Sequence, residues 1–263
     1  MLTAIVLAAC SSDEELKNES TTVTINFSPY NVEAMTRAAV SIADVVARLD
    51  VWITDGTTTT DLHQSSADAD FGTITATLDK TKTYTLYAIA HKCISAASLA
   101  EGIISFPDDK VTHSMYYTTT FTPSTTTSLS CLMTRIVADF RLEITDEIPA
   151  ACKSFRFTIN GVYDRWSVST GATHELDRVS TINCNGTSSI FNVYAIVTDA
   201  STTHDITVTA LDENGQELQT RTFSAVPLRN GYKTSYRGTF FVDTAVSSAF
   251  TVNDWNEYDV VEF

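Results

Sequence analysis

The sequence predicts an all-β protein, and three observations carry that prediction. Short runs of alternating apolar and polar residues recur along the chain between turn residues, and no segment sustains a helical period. About one residue in six of the 263 is Thr, and 10 Tyr and 13 Phe add more residues that suit a pleated, half-buried surface. Gly (9) and Pro (5) are too scarce for a fibrous or low-complexity chain. With 43% of its residues hydrophobic, the chain can bury a sizeable core, and its length accommodates two ordinary domains or one large one.

The first element is an address. Met1 to Ala9 is a short apolar run ending in small residues, which reads as a secretory signal over 1–9. Leu7-Ala8-Ala9-Cys10 resembles the bacterial lipobox, which implies cleavage before Cys10 and a diacylglycerol on its thiol. No Lys or Arg precedes the run, so the expectation is a start that lies further upstream or has been clipped. The polar cluster Ser11-Ser12-Asp13-Glu14-Glu15 cannot continue a strand, and it resembles the tag that sends lipoproteins to the surface of some anaerobic Gram-negative bacteria.

Residues 11–20 read as a polar tether. Thr21 to Phe27 then alternates with Val23, Ile25 and Phe27 on one face, a half-buried strand that Pro29 and Asn31 end. Met35-Thr36-Arg37-Ala38-Ala39 is small and polar enough for an exposed linker. Ile42, Val45, Val46 and Leu49 have helical spacing while Val51-Trp52-Ile53 reads as strand, so 40–53 is a short helix or a long strand. Asp55-Gly56 marks a turn. Strands follow at Phe71 to Leu78, Thr83 to Ala90, Met115 to Phe121 and Ser128 to Leu142, punctuated by Pro107-Asp108-Asp109 and Pro123-Ser124.

A second set begins after Ile148-Pro149. It comprises Ser154 to Ile159, Ser189 to Val197, Asp205 to Leu211, Leu218 to Phe223, Ser235 to Val242 and a closing strand near Phe250 to Tyr258. Asn160-Gly161 and Asn214-Gly215 are expected hairpin turns. Strands at this spacing predict sandwiches or barrels, with a boundary near residue 145. The expected units are 1–9, a tether and strand over 10–37, and two β-sandwiches over 38–145 and 146–263.

In this order the chain resembles the fimbrillin-like lipoproteins that build type V pili. Met133-Thr134-Arg135-Ile136-Val137-Ala138 looks like their hydrophobic strand late in the first domain. Asp146-Glu147-Ile148-Pro149-Ala150 looks like their turn into the second, and Val252-Asn253-Asp254-Trp255 like their last strand. The resemblance implies two transthyretin-like Greek-key sandwiches and a structural pilus subunit, with a tip or anchor protein as the variant. It implies an outer-membrane lipoprotein precursor that an Arg-specific protease cuts in its N-terminal linker, and then a place in the cell-surface fimbrium. Loss of the first strand (Val23, Ile25, Phe27) would open a groove for a strand of the next subunit. Arg37 is the expected cut, giving a mature start at Ala38. Arg48 is the other candidate, but its neighbours look structural. Phe250 to Phe263 could supply the donor. The implied partners are other pilus subunits, the outer membrane through the lipid, the protease, and a host or bacterial surface ligand.

Charge and motifs narrow the alternatives. A formal net charge of −15 argues against nucleic acid, whose phosphates it would repel, and against a basic patch for anionic lipid. No stretch approaches the ~20 apolar residues of a membrane-spanning helix. Enzyme signatures are absent: there is no His-Glu-x-x-His, Gly-x-Ser-x-Gly or P-loop. His174-Glu175 lacks a second His, and His63, His91, His113 and His204 are scattered, with surface or turn positions expected. Asp68 and Asp70 could touch calcium but lack the bidentate Glu of a full loop. No cofactor or metal is expected. Cys93, Cys131, Cys152 and Cys184 allow three disulfide connectivities; Cys93–Cys131 and Cys152–Cys184 would each stay within one domain, and free buried thiols fit equally. The rival from another class is a surface glycan-binding lipoprotein that stacks sugars on Trp52, Tyr163 and Trp166.

Overall fold

A computed structural model describes residues 19–29, 41–184, 186, 188–198, 202–242 and 250–254, the last as backbone alone. Cys10, Arg37, Ala38 and Trp255 lie outside the described residues. The first nine strands are β1 (Ser20–Pro29), β2 (Arg48–Thr54), β3 (Thr59–Ser65), β4 (Thr73–Asp79), β5 (Tyr84–His91), β6 (Ser98–Ala100), β7 (Ile103–Ser105), β8 (Ser114–Phe121) and β9 (Ser128–Arg135). The remaining eight are β10 (Ala138–Ile144), β11 (Ser154–Ser167), β12 (Gly171–Asn183), β13 (Ile190–Ala195), β14 (Thr202–Leu211), β15 (Glu217–Leu228), β16 (Tyr232–Gly238) and β17 (Phe250–Asp254). The protein is all-β, and the only helical geometry described is two three-residue 3-10 turns.

The first sheet path runs β3-β2-β5-β8-β9-β1-β4. Its two wings join where Met115 and Tyr116 of β8 face Arg135 and Thr134 of β9, with Ile136 N donating to Ser114 O just beyond. They close on one core, with Val23, Ile25, Ile74, Leu78, Cys131 and Met133 on one side and Leu49, Val51, Ile53, Leu86, Ala88 and Ala90 on the other. Alternation in β1 and β4 places every second side chain there, as the period of a strand requires. Asp55-Gly56 makes the β2–β3 turn: Asp55 Oδ1 accepts from the amides of Thr57 and Thr58, and Gly56 holds φ +88.

The second core lies between the sheet β13-β10-β16-β17 and the sheet β15-β14-β11-β7-β6, with β12 also on β11. It is rich in Phe, with Phe140, Phe155, Phe157, Phe223 and Phe240 all buried. The helical spacing over 40–53 resolves into a 3-10 turn at Ile42–Asp44, capped by Ser41, followed by β2. The single strand expected over Ser128 to Leu142 is two strands in different sheets, β9 and β10. Ile136 and Val137 between them are buried in a third core, so hydrophobicity continues where the strand does not.

Asn160-Gly161 is not a hairpin turn. It lies inside β11, where the register with β12 slips between Ile159 and Val162 and Gly161 takes φ +64, the mark of a bulge. Asn214-Gly215 does make the expected turn: Asp212 Oδ1 accepts from the Asn214 and Gln216 amides.

The halves are bound to each other. The β6–β7 hairpin leaves the first half and joins the second half's sheet, pairing Ser105, Ile104 and Ile103 with Arg165, Trp166 and Ser167. Over this seam sits the third core, which includes Trp52, Ile89, Ile104, Phe106, Val137, Trp166 and Ile196. Arg178 of β12 adds a polar clasp, donating to the carbonyls of Asp109 and Val111.

Candidate functional site

The expected removable strand is seated inside its sheet, between β9 and the edge strand β4. β1 pairs antiparallel with β4 from Ser20↔Asp79 to Asn26↔Thr73, and parallel with β9 from Thr24↔Ser128 to Pro29↔Met133. Val23 and Ile25 are fully buried and Phe27 is nearly so. The seat is closed at both ends by backbone bonds, Glu19 O accepting from Lys80 N at 2.6 Å and Phe27 N donating to Gly72 O at 2.7 Å. Gly72 is required there: at φ +93 its missing Cβ would stand 2.6 Å from Ile42 Cγ2. The 3-10 turn that carries Ile42 thus packs across the end of β1.

Taking β1 out would leave β4 and β9 each with a row of unpaired amides and carbonyls beside a strip of the first core. β1 is bonded on both sides, so a replacement that repeats its bonds runs parallel to β9 and antiparallel to β4 with apolar residues at every second position. Arg48, the second cleavage candidate, is held at the start of β2, paired with both Ser65 and His91, and its guanidinium lies 3.9 Å from Asp50. A protease, which needs an extended free segment, has no access to it in that ladder. At the other end of the chain, β17 is, among the described residues, the outermost strand of its sheet, bonded to β16 from Tyr232↔Asp254 to Tyr236↔Phe250.

The residues weighed for chemistry are occupied structurally. Asp50, fully buried, accepts from the Ala97 amide and pairs with His63 Nδ1 and His91 Nε2, each at 2.8 Å. Burial is the largest single influence on His91 and works against its charge, but the bond to Asp50, the contact with Cys93 and the Asp50 charge together outweigh it, so the imidazole titrates above its ordinary value. His113 is buried beside Arg135; burial first, then the guanidinium charge, drive it down to about 3. His91 and His113 are therefore buried rather than on the surface or in turns, because neighbouring polar groups satisfy them. His204 bonds Thr202 and Asn160 O, and His174 bonds Asp164. Asp68 accepts from Ser65, so it closes a turn, and no metal-holding cluster occurs among the described residues.

Two of the three aromatics weighed for a glycan-stacking platform are not on the surface. Trp52 and Trp166 are buried in the third core, and Tyr163 is packed against it. The four described cysteines are free thiols. Cys93 donates to Lys110 O, and Cys131 lies in the first core opposite Phe27, so these two are not brought together. Cys152 and Cys184 are brought close: both touch the second core, and the Cys184 amide donates to the carbonyl of Lys153, the residue next to Cys152.

No protein-family model matches the chain, and no curated protein does. Solved structures do. A protein from Bacteroides ovatus, provisionally described as a cell adhesion protein, superposes with a TM-score of 0.53 at 14% identity over 89% of this chain and 98% of that one. A Bacteroides thetaiotaomicron protein provisionally described as polysaccharide binding gives 0.53 at 10% identity, over 89% and 96%. A provisionally assigned adhesin from the same organism gives 0.50 at 13%, over 89% and 96%. At such identities the likeness is one of fold, and the chain has the fold of these Bacteroides proteins over nearly all of its length.

Proposed function

We propose that the chain is a structural subunit of a cell-surface fimbria, exported as a lipoprotein through Cys10 and assembled by strand exchange after cleavage between Arg37 and Ala38. The observation that carries the proposal is the seat of β1: a strand bonded on both sides, with its three apolar side chains in the core, ahead of a segment holding Arg37. The fold shared with provisionally assigned Bacteroides adhesins supports it, as does the resemblance of the sequence to fimbrillin-like lipoproteins. In this reading each half is a transthyretin-like sandwich, 38–145 and 146–263, and the chain works as an assembly unit rather than an enzyme.

The physics of such a subunit is direct. While β1 is covalently attached, its effective concentration keeps the groove filled and the precursor monomeric. Once the link is cut, an identical strand from another copy can replace it. The groove and the donor lie on different parts of each copy, so the contact repeats head to tail without closing, and filaments follow. The edge strand β17 and the residues after it are the donor this reading favours. A subunit that accepts a strand but gives none would be a tip or an anchor. The glycan-binding alternative has lost two of its three stacking residues, Trp52 and Trp166, to the core, and Tyr163 is half-buried.

The test is low-dose trypsin on residues 11–263, with fragment masses and negative-stain microscopy followed together and an Arg37→Ala control. One cut after Arg37, followed by laddering or filaments, supports a shaft subunit. The same cut with monomers remaining points to a tip or anchor. An intact fold that resists cleavage at Arg37 would refute the removable-strand mechanism.

A further inference from the structure

The hairpin β11–β12 is the longest in the molecule and runs through both the second and third cores, from Ser154↔Asn183 at its open end to Ser167↔Gly171 at its turn. Its open end is flanked by two cysteines. Cys152 lies two residues before the start of β11, in a turn closed by its own amide on Pro149 O at 2.8 Å. Cys184 immediately follows β12, and its amide donates to Lys153 O at 2.7 Å, extending the ladder one step past the last register pair. Cys152 is buried in the second core and half-buried Cys184 packs against that core, and the bond from Cys184 N to Lys153 O makes the two cysteines neighbours at the open end. No other described cysteine is near.

We propose that Cys152 and Cys184 are a redox site that closes as a disulfide stapling the open end of the β11–β12 hairpin. The oxidant is an external aliphatic disulfide. The more exposed Cys184 attacks as thiolate, forming a mixed disulfide and expelling one thiolate. Cys152, as thiolate, then attacks the Cys184 sulfur and expels the second. Two protein thiols become one protein disulfide, and the external disulfide leaves as two thiols, which take up the two protons released. Burial, then the neighbouring sulfur, hold the Cys152 thiol above its ordinary value, which fits its role as the slower, resolving partner. A staple here joins the ends of the strands that both cores share, leaving the second half covalently locked while the first exchanges β1.

The closure in the cell rests on the export reading, because a disulfide persists only in an oxidising compartment; the geometry does not. The full chain is treated with oxidised glutathione, the remaining thiols are alkylated after denaturation, and peptides are mapped. The expected result is one cross-linked peptide pair holding Cys152 and Cys184, with Cys93 and Cys131 alkylated and a thermal midpoint several degrees above the reduced form. Cys152→Ser and Cys184→Ser should each abolish the gain. Glutathione left on single cysteines, or scrambled pairs, would overturn the proposal. Protein alkylated during lysis of its native cells supplies the second arm, read beside lipid labelling of Cys10. Closure in the tube, reduced thiols in cells and no lipid on Cys10 would count against export while upholding the pair. Lipid on Cys10 with reduced thiols would overturn the staple in the cell.

Discussion

Replacing Ile25 with Ala tests the seat of β1 most directly. Ile25 is fully buried at the centre of the strand, paired with Ile74 on β4 and Leu129 on β9. The change removes three carbons, about 2.4 kcal/mol of transfer free energy at ~0.8 kcal/mol per methylene. A cavity between two well-formed sheets cannot collapse fully, so the total should reach about 3–4 kcal/mol. Urea unfolding should show the midpoint falling at unchanged slope, and the thermal midpoint should drop by roughly 7–14 °C. Thr22→Ala, on the exposed face of the same strand, is the control and should cost less than about 0.5 kcal/mol. The same deficit should appear in exchange: after cleavage at Arg37, the altered strand should leave the groove a few hundred times faster, since ~1.4 kcal/mol is tenfold. If Ile25→Ala is as mild as Thr22→Ala, the strand is not packed as described and the argument for a removable plug falls.

Other predictions concern the polar interior and the approach to the groove. Asp50→Asn should cost about 2–4 kcal/mol, because one carboxylate serves two histidines and an amide. His91 titrates above its ordinary value when folded, so its contribution is full below about pH 6.5 and lost as pH rises. The cost of Asp50→Asn in denaturation should therefore be larger at pH 6 than at pH 8, and an equal cost would refute the pairing. Burial raises Asp139 from 3.8 to about 7 against relief from Lys233, Arg141 and Arg135, so the folded state keeps a proton that the unfolded chain releases. Stability should fall as pH climbs from about 4 to about 7, and Asp139→Asn should flatten that fall by up to about 4 kcal/mol; an unchanged slope would count against it. Gly72→Ala should cost about 2–3 kcal/mol in urea unfolding, through its positive φ and the contact with Ile42, whereas Gly56→Ala, with open space around it, should cost nearer 1. Equal costs would remove the close approach as the cause.

Much of this architecture can be read locally. β1 shows itself because Val23, Ile25 and Phe27 report one buried face, and Asp55-Gly56 and Asn214-Gly215 carry turn chemistry that needs no distant partner. β3 and β12 are invisible to the same reading, since Thr59–Ser65 and Gly171–Asn183 keep polar faces toward solvent and owe their existence to neighbours that need pairing. The short β6 and β7 are strands only because β11 supplies an edge to join. Asn160-Gly161 has the residues of a hairpin turn, yet β12 and β14 hold β11 straight on either side and the glycine bends a continuing strand.

The sequence by itself determined the all-β class, the alternation that fills two cores, the buried face of β1 and the absence of enzyme motifs. These depend on the period of side chains along a strand and on turn residues, both of them local properties. Only the tertiary structure decided that Trp52 and Trp166 are seam rather than surface, that His91 and His113 are buried, that Ile136–Val137 divides two sheets, and that Cys152 meets Cys184. Each of these depends on which distant strand lies alongside, and that choice is made by the packing of whole faces, which no short window of sequence contains.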